Sequence, residues 1–155
     1  MNRALFSLAS VLLILAPVRG DAAPRETSSD IEAEGTGPST AASTALNAAL
    51  TQIGKPYSFG AGGPDAYDAS GLTYYAWKQA GKSIPRSVAT QYNEIPVKVE
   101  RDELLPGDLV FLYSPKSHVG MYVGDGKMIH APSTGDVVKI VPVPWDVYSG
   151  AVRPG

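Results

Sequence analysis

The chain has 155 residues, no cysteine, and 13 Lys and Arg against 15 Asp and Glu, for a formal charge of −2 at pH 7. That length is enough for one domain with a real core, and with no cysteine the core is held without disulfides. The basic residues are scattered along the chain, which argues against nucleic acid as a partner, because phosphate binding needs clustered Lys and Arg.

The N-terminus reads as an export signal. Asn2-Arg3 is followed by an almost unbroken apolar run from Ala4 to Ala16, and then by small residues up to Ala23. This is the pattern of a secretory signal peptide over residues 1–23. About 13 apolar positions are too few for the roughly 20 that cross a bilayer, so no transmembrane segment is expected after cleavage. No cysteine follows the run, which excludes lipid attachment at a mature N-terminal cysteine. Residues 24–40 are rich in Ser, Thr, Gly, Glu and Pro and carry almost no large apolar side chain. Such a segment cannot bury enough surface to order itself and is expected to be a disordered linker. The folded domain is expected over residues 41–155.

Within that domain helices come first. Leu46, Ala49, Leu50 and Ile53 fall at helical spacing, and Gly54 is a stop signal. Residues 56–68 hold three glycines and two prolines and read as a tight loop. A second helix is expected over residues 69–80, with Asp68 as its N-cap, Leu72, Tyr75, Ala76 and Gln79 on one face, and Gly81 closing it. Glu100 to Glu103 reads as a solvated charge run and Glu103 to Asp108 as a turn. Short strands are expected at residues 109–113, 119–123, 127–130 and 137–143, with Ala151-Val152 as a last one. Asp125-Gly126 is a strong hairpin signal. Helices followed by an antiparallel meander make an α+β domain.

The chemistry centres on position 69. A helix N-terminus lowers the pKa of a cysteine placed on it, through unpaired N–H groups and the helix dipole. A nearby imidazole completes the activation, and a third polar group orients that imidazole. The chain has a helix starting at residue 69 and only two histidines, His118 before one strand and His130 at the end of the strand that returns from the hairpin. A hairpin can place two such residues side by side. The nucleophile is absent, because position 69 is alanine.

Six segments, in order, resemble the NlpC and p-sixty family of papain-like cysteine peptidases of the bacterial cell wall. They are Gly54-Lys55-Pro56-Tyr57-Ser58-Phe59-Gly60, Tyr67-Asp68-Ala69-Ser70-Gly71-Leu72, Ile84-Pro85-Arg86-Ser87 with Gln91, Leu105-Pro106-Gly107-Asp108-Leu109-Val110, His118-Val119-Gly120-Met121-Tyr122-Val123-Gly124, and Met128-Ile129-His130-Ala131. The resemblance spans roughly residues 42–155 and implies a papain-like fold, with N-terminal helices packed on an antiparallel sheet. It implies that Ala69 stands where the family has its nucleophilic cysteine, that His118 matches the general base, and that His130 matches the residue orienting it. By the same match, Tyr57 lines the site and helps hold the oxyanion, while Asp68, Ser70 and Arg86 belong to the substrate pocket. The implied ligands are peptidoglycan stem peptides, often cut between D-glutamate and diaminopimelate, and the implied setting is a secreted, wall-associated monomer with no cofactor. Phe59-Gly60-Ala61 departs from the Trp-Gly-Gly that many members carry, and Ala69 removes the sulfur.

Ser70 is a poor substitute nucleophile, since its side chain points about 100° away around the helix. Two histidines without a defined third ligand do not make a zinc site. Three functional classes follow. One is a natural pseudoenzyme that keeps the cleft to bind wall peptides. A second is an active D-glutamyl-diaminopimelate cysteine endopeptidase whose cysteine was changed deliberately. The third is a secreted domain that uses the fold for another partner.

Overall fold

In the computed structural model, residues 37–155 are described. The expected signal peptide and residues 24–36 of the expected linker lie outside the described residues. Helix α1 spans Thr40–Leu50, so the last linker position is already helical, and Ser39 caps it by accepting a hydrogen bond from the Ala42 N–H at 3.0 Å. Its buried side is built of Ala42, Ala45 and Ala49 rather than of the leucines. The helix ends at Leu50 and the chain turns through residues 51–54, which leaves Ile53 49 % exposed instead of on the core face. The small side allows close approach: a Cβ added at Gly107 would lie 2.8 Å from the Cβ of Ala42.

Helix α2 spans Ala69–Gln79, with Asp68 as its N-cap as expected. Leu72, Ala76 and Trp77 are fully buried, whereas Gln79 is exposed and Tyr75 half-buried. The Trp77 indole N–H donates to the Gly107 carbonyl at 3.2 Å, which satisfies the one polar atom of a ring otherwise surrounded by core. Complete burial of Leu72 or Phe111 stabilises by roughly 2–3 kcal/mol each. A third helix, α3 (Val88–Glu94), lies where sequence periodicity gave no sign of one. It is seven residues long, starts with a Ser87–Thr90 capping box, and buries only Gln91.

Five strands follow: β1 (Leu109–Leu112), β2 (His118–Gly124), β3 (Lys127–His130), β4 (Lys139–Pro142) and β5 (Tyr148–Val152). They form one antiparallel sheet in the order β4-β3-β2-β1-β5. The first four are the expected meander, and β5 returns to the free side of β1. Asp125 and Gly126 both have positive φ (55° and 72°), as a tight hairpin turn between β2 and β3 requires. One face of the sheet sends Leu109, Phe111, Val119, Met121 and Ile129 into the main core with the helices. The opposite face gathers Val110, Leu112, Met128 and Val143 into a second, smaller cluster. Helix α2 packs on α1 and on β2. Among the described residues no helix is long and apolar enough to cross a membrane.

Candidate active site

The start of α2 and the start of β2 face each other across a cleft of about 220 Å³. Tyr57, Asp68, Ala69, Ser70 and His118 all line it. Ala69 is 9 % exposed and presents a methyl group. As the first residue of the helix, its N–H has no intrahelical acceptor, and none is found for it among the described residues.

The helix side is braced by a dense network. One Asp68 carboxylate oxygen accepts from the Gly71 N–H at 2.7 Å and the other from the Gly60 N–H at 2.9 Å. Arg86 lies against the same carboxylate, with Nη1 to Oδ1 at 3.1 Å and Nη2 to Oδ2 at 3.3 Å, and Nη1 also reaches the Ser70 hydroxyl at 3.0 Å. Arg86 therefore acts on the cleft through Asp68 and Ser70 and does not itself line it. The buried Ser70 hydroxyl faces a cation and has no imidazole partner, which is no setting for a serine nucleophile. Gly71 is required by contact, since a Cβ there would sit 2.1 Å from the Ala61 carbonyl oxygen.

Gln91, four residues beyond the Ile84–Ser87 segment, braces the site from behind. It is fully buried; its Nε2 donates to the carbonyls of Ser70 (3.1 Å) and Pro85 (2.9 Å), and its Oε1 accepts from the Thr73 hydroxyl (2.9 Å). It thus ties the Arg86 loop to the first turn of α2. Phe59, Val88, Ser117 and Pro132 complete the cleft lining. Phe59, the departure from the family loop, is 89 % exposed at its rim.

The strand side is sparser. His118 Nε2 and His130 Nδ1 are 2.8 Å apart, with the rings edge to face. The hairpin sets the two histidines side by side through a diagonal contact. Met121 pairs with Ile129, so continuing that register sets His130 opposite Gly120. A Cβ on Gly120 would lie 3.2 Å from the Cβ of His130, so the glycine leaves the room in which His130 leans toward His118. Burial lowers the pKa of His118. Burial, with smaller contributions from His118 and Lys139, holds His130 down at about 4. Both rings are therefore neutral at pH 7. If Nε2 of His118 carries the proton that bonds to His130, Nδ1 is the nitrogen left as a base. The Nε2 of His130 is buried and has no protein partner. Among the described residues no group of three His, Cys, Asp or Glu could hold a metal ion.

A helix N-terminus set against a strand-borne imidazole, in an α+β domain of this order, defines a papain-like thiol hydrolase scaffold. The NlpC/P60 family model matches residues 54–151, and the chain belongs to that family. It is 40% identical over 135 residues to a protein named "probable endopeptidase" of Corynebacterium glutamicum, covering 85% of this chain and 64% of that protein. It is 41% identical over 124 residues to the murein DD-endopeptidase MepH of Escherichia coli, covering 73% of this chain and 46% of the relative. Mycobacterial relatives named as probable endopeptidases match over only 25% of their length, so the chain spans between a quarter and two thirds of these curated relatives. Among solved structures, an NlpC/P60 family protein from Bacillus cereus superposes with a TM-score of 0.70 at 33% identity, covering 76% of this chain and 41% of that one. The P60 domain of a Mycobacterium avium subspecies paratuberculosis antigen superposes at 0.67 and 30% identity, covering 73% and 93%.

Proposed function

We propose that this chain is exported, binds peptidoglycan stem peptides in the cleft at position 69, and does not hydrolyse them. The observation that carries the reading is the contrast inside the cleft: the surroundings of a nucleophile are present and the nucleophile is a methyl group. In this reading His118 is the general base and His130 holds its ring. Asp68, Ser70 and Arg86 shape the peptide pocket. Tyr57 and the unpaired Ala69 N–H face the carbonyl oxygen of the peptide.

With a thiol at position 69, His118 Nδ1 would take its proton, the thiolate would attack the carbonyl carbon, and the same proton would pass to the leaving amine. Ala69 has no lone pair to attack with, so no acyl-enzyme forms. What is left is positioning and polarisation of the carbonyl, a small remnant of such catalysis. The murein endopeptidase among the relatives supports peptidoglycan as the ligand. The apolar run at residues 4–16 and the polar segment at 24–40 support export, with the domain tethered loosely or released at the wall.

The test is incubation with purified wall sacculi. Expected are protein sedimenting with the wall and no newly released peptide. Turnover that disappears in His118→Ala contradicts the reading, as does the absence of sedimentation. The intact histidine pair favours a second reading of the same site, a deliberate single replacement in an active endopeptidase. The natural coding sequence at position 69 separates the two.

A further inference from the structure

A second, larger hollow of about 630 Å³ opens on the other side of His118. It shares Ser117, His118 and Pro132 with the position-69 cleft but reaches none of residues 68–70. Its apolar floor includes Leu112, Met128 and Val141, from the sheet face turned away from the helices, and Lys139 stands in its wall. We propose that this hollow receives the part of the peptide on the leaving side of the scissile bond, and that Lys139 recognises a carboxylate carried there. The proposal rests on the peptide-binding reading above.

Three observations carry it. The first is direction. The imidazole that accepts the nucleophile's proton delivers it to the leaving amine, so the leaving segment passes alongside that imidazole. The hollow that adjoins His118 without reaching the helix start lies on that path. The second is charge. The Lys139 ammonium donates to Asp136 Oδ2 at 2.9 Å, which uses one of its three donors. Both partners of that pair are solvent-accessible, so solvent screens it, and it aims the ammonium while competing weakly with an incoming carboxylate. The third is strain. Tyr113, also in the hollow's lining, has φ of 74° and is 48 % exposed. A bulky residue in the left-handed region costs free energy, and such residues gather where a ligand is handled.

The experiment measures equilibrium binding of the unmodified chain to two synthetic stem peptides. They are identical except that the residue after the D-glutamyl bond carries either a free carboxylate or the corresponding amide. The free carboxylate is expected to bind about tenfold tighter, the scale of one charge-assisted hydrogen bond. Lys139→Gln is expected to erase that preference and leave the amide peptide unaffected, and Lys139→Arg to retain it. If Lys139→Gln keeps the preference, or weakens both peptides equally, the assignment of Lys139 is wrong and the peptide-binding reading stands. If the unmodified chain binds neither peptide, both readings fall.

Discussion

The two walls of the cleft are built on opposite plans. On the helix wall, Asp68 alone accepts two backbone N–H groups and faces Arg86, which also bonds Ser70, and Gln91 adds three further bonds behind them. On the strand wall a single imidazole–imidazole contact joins His118 to His130, and one ring nitrogen is buried without a partner. The helix wall holds its shape through the backbone and needs no sulfur to do so. The strand wall holds its shape through burial of two neutral rings. This is how the architecture around position 69 persists with alanine there: no bond in either wall runs through that side chain.

The comparison can be broken most severely at Gly71. Gly71→Ala puts a Cβ against the backbone oxygen of Ala61, which cannot swing aside. The expected outcome is loss of more than about 3 kcal/mol in urea unfolding, or failure to fold. Gln91→Leu should come next, at about 2 kcal/mol, since it keeps the volume but strands the Pro85 carbonyl and takes one partner each from the Ser70 carbonyl and the Thr73 hydroxyl, which stay bonded to each other. Peptide affinity should fall with it, because the Arg86 loop loses its tie to α2.

The strand wall should instead answer to pH. Both histidines have folded-state pKa values below the usual 6.5, His130 at about 4. Below pH 6.5 the unfolded chain binds protons that the folded chain refuses, so stability is complete above that value, falls between 6.5 and about 4, and levels off below. The loss attributable to His130 should reach about 3 kcal/mol near pH 4. It is read as the difference between the stability–pH profiles of the unmodified chain and His130→Asn. Superimposable profiles would show that burial does not hold that ring neutral.

Much of this was legible in the sequence, and the exceptions have physical causes. The α+β order, the Asp68 cap and the hairpin at Asp125-Gly126 were readable because each has a local signature, whereas the placing of Tyr57, Ser70 and His118 beside position 69 followed from the family resemblance of their segments. Helix α3 was hidden because seven residues burying one polar glutamine leave no apolar stripe. The buried side of α1 was hidden because alanines pack there while leucine and isoleucine nearby stay partly exposed, so hydrophobicity pointed to the wrong residues. The diagonal His118–His130 contact depends on the missing Cβ of Gly120, which pairing rules for a hairpin do not reveal.

The most direct measurement is peptide release from purified wall by the Ala69→Cys variant. Both walls being intact, the account predicts that cleavage appears with the thiol and falls by about 10⁴-fold or more when His118→Ala is added. A folded Ala69→Cys protein with a titratable free thiol and no cleavage of wall peptide would contradict it, and would mean that the site has lost more than its nucleophile.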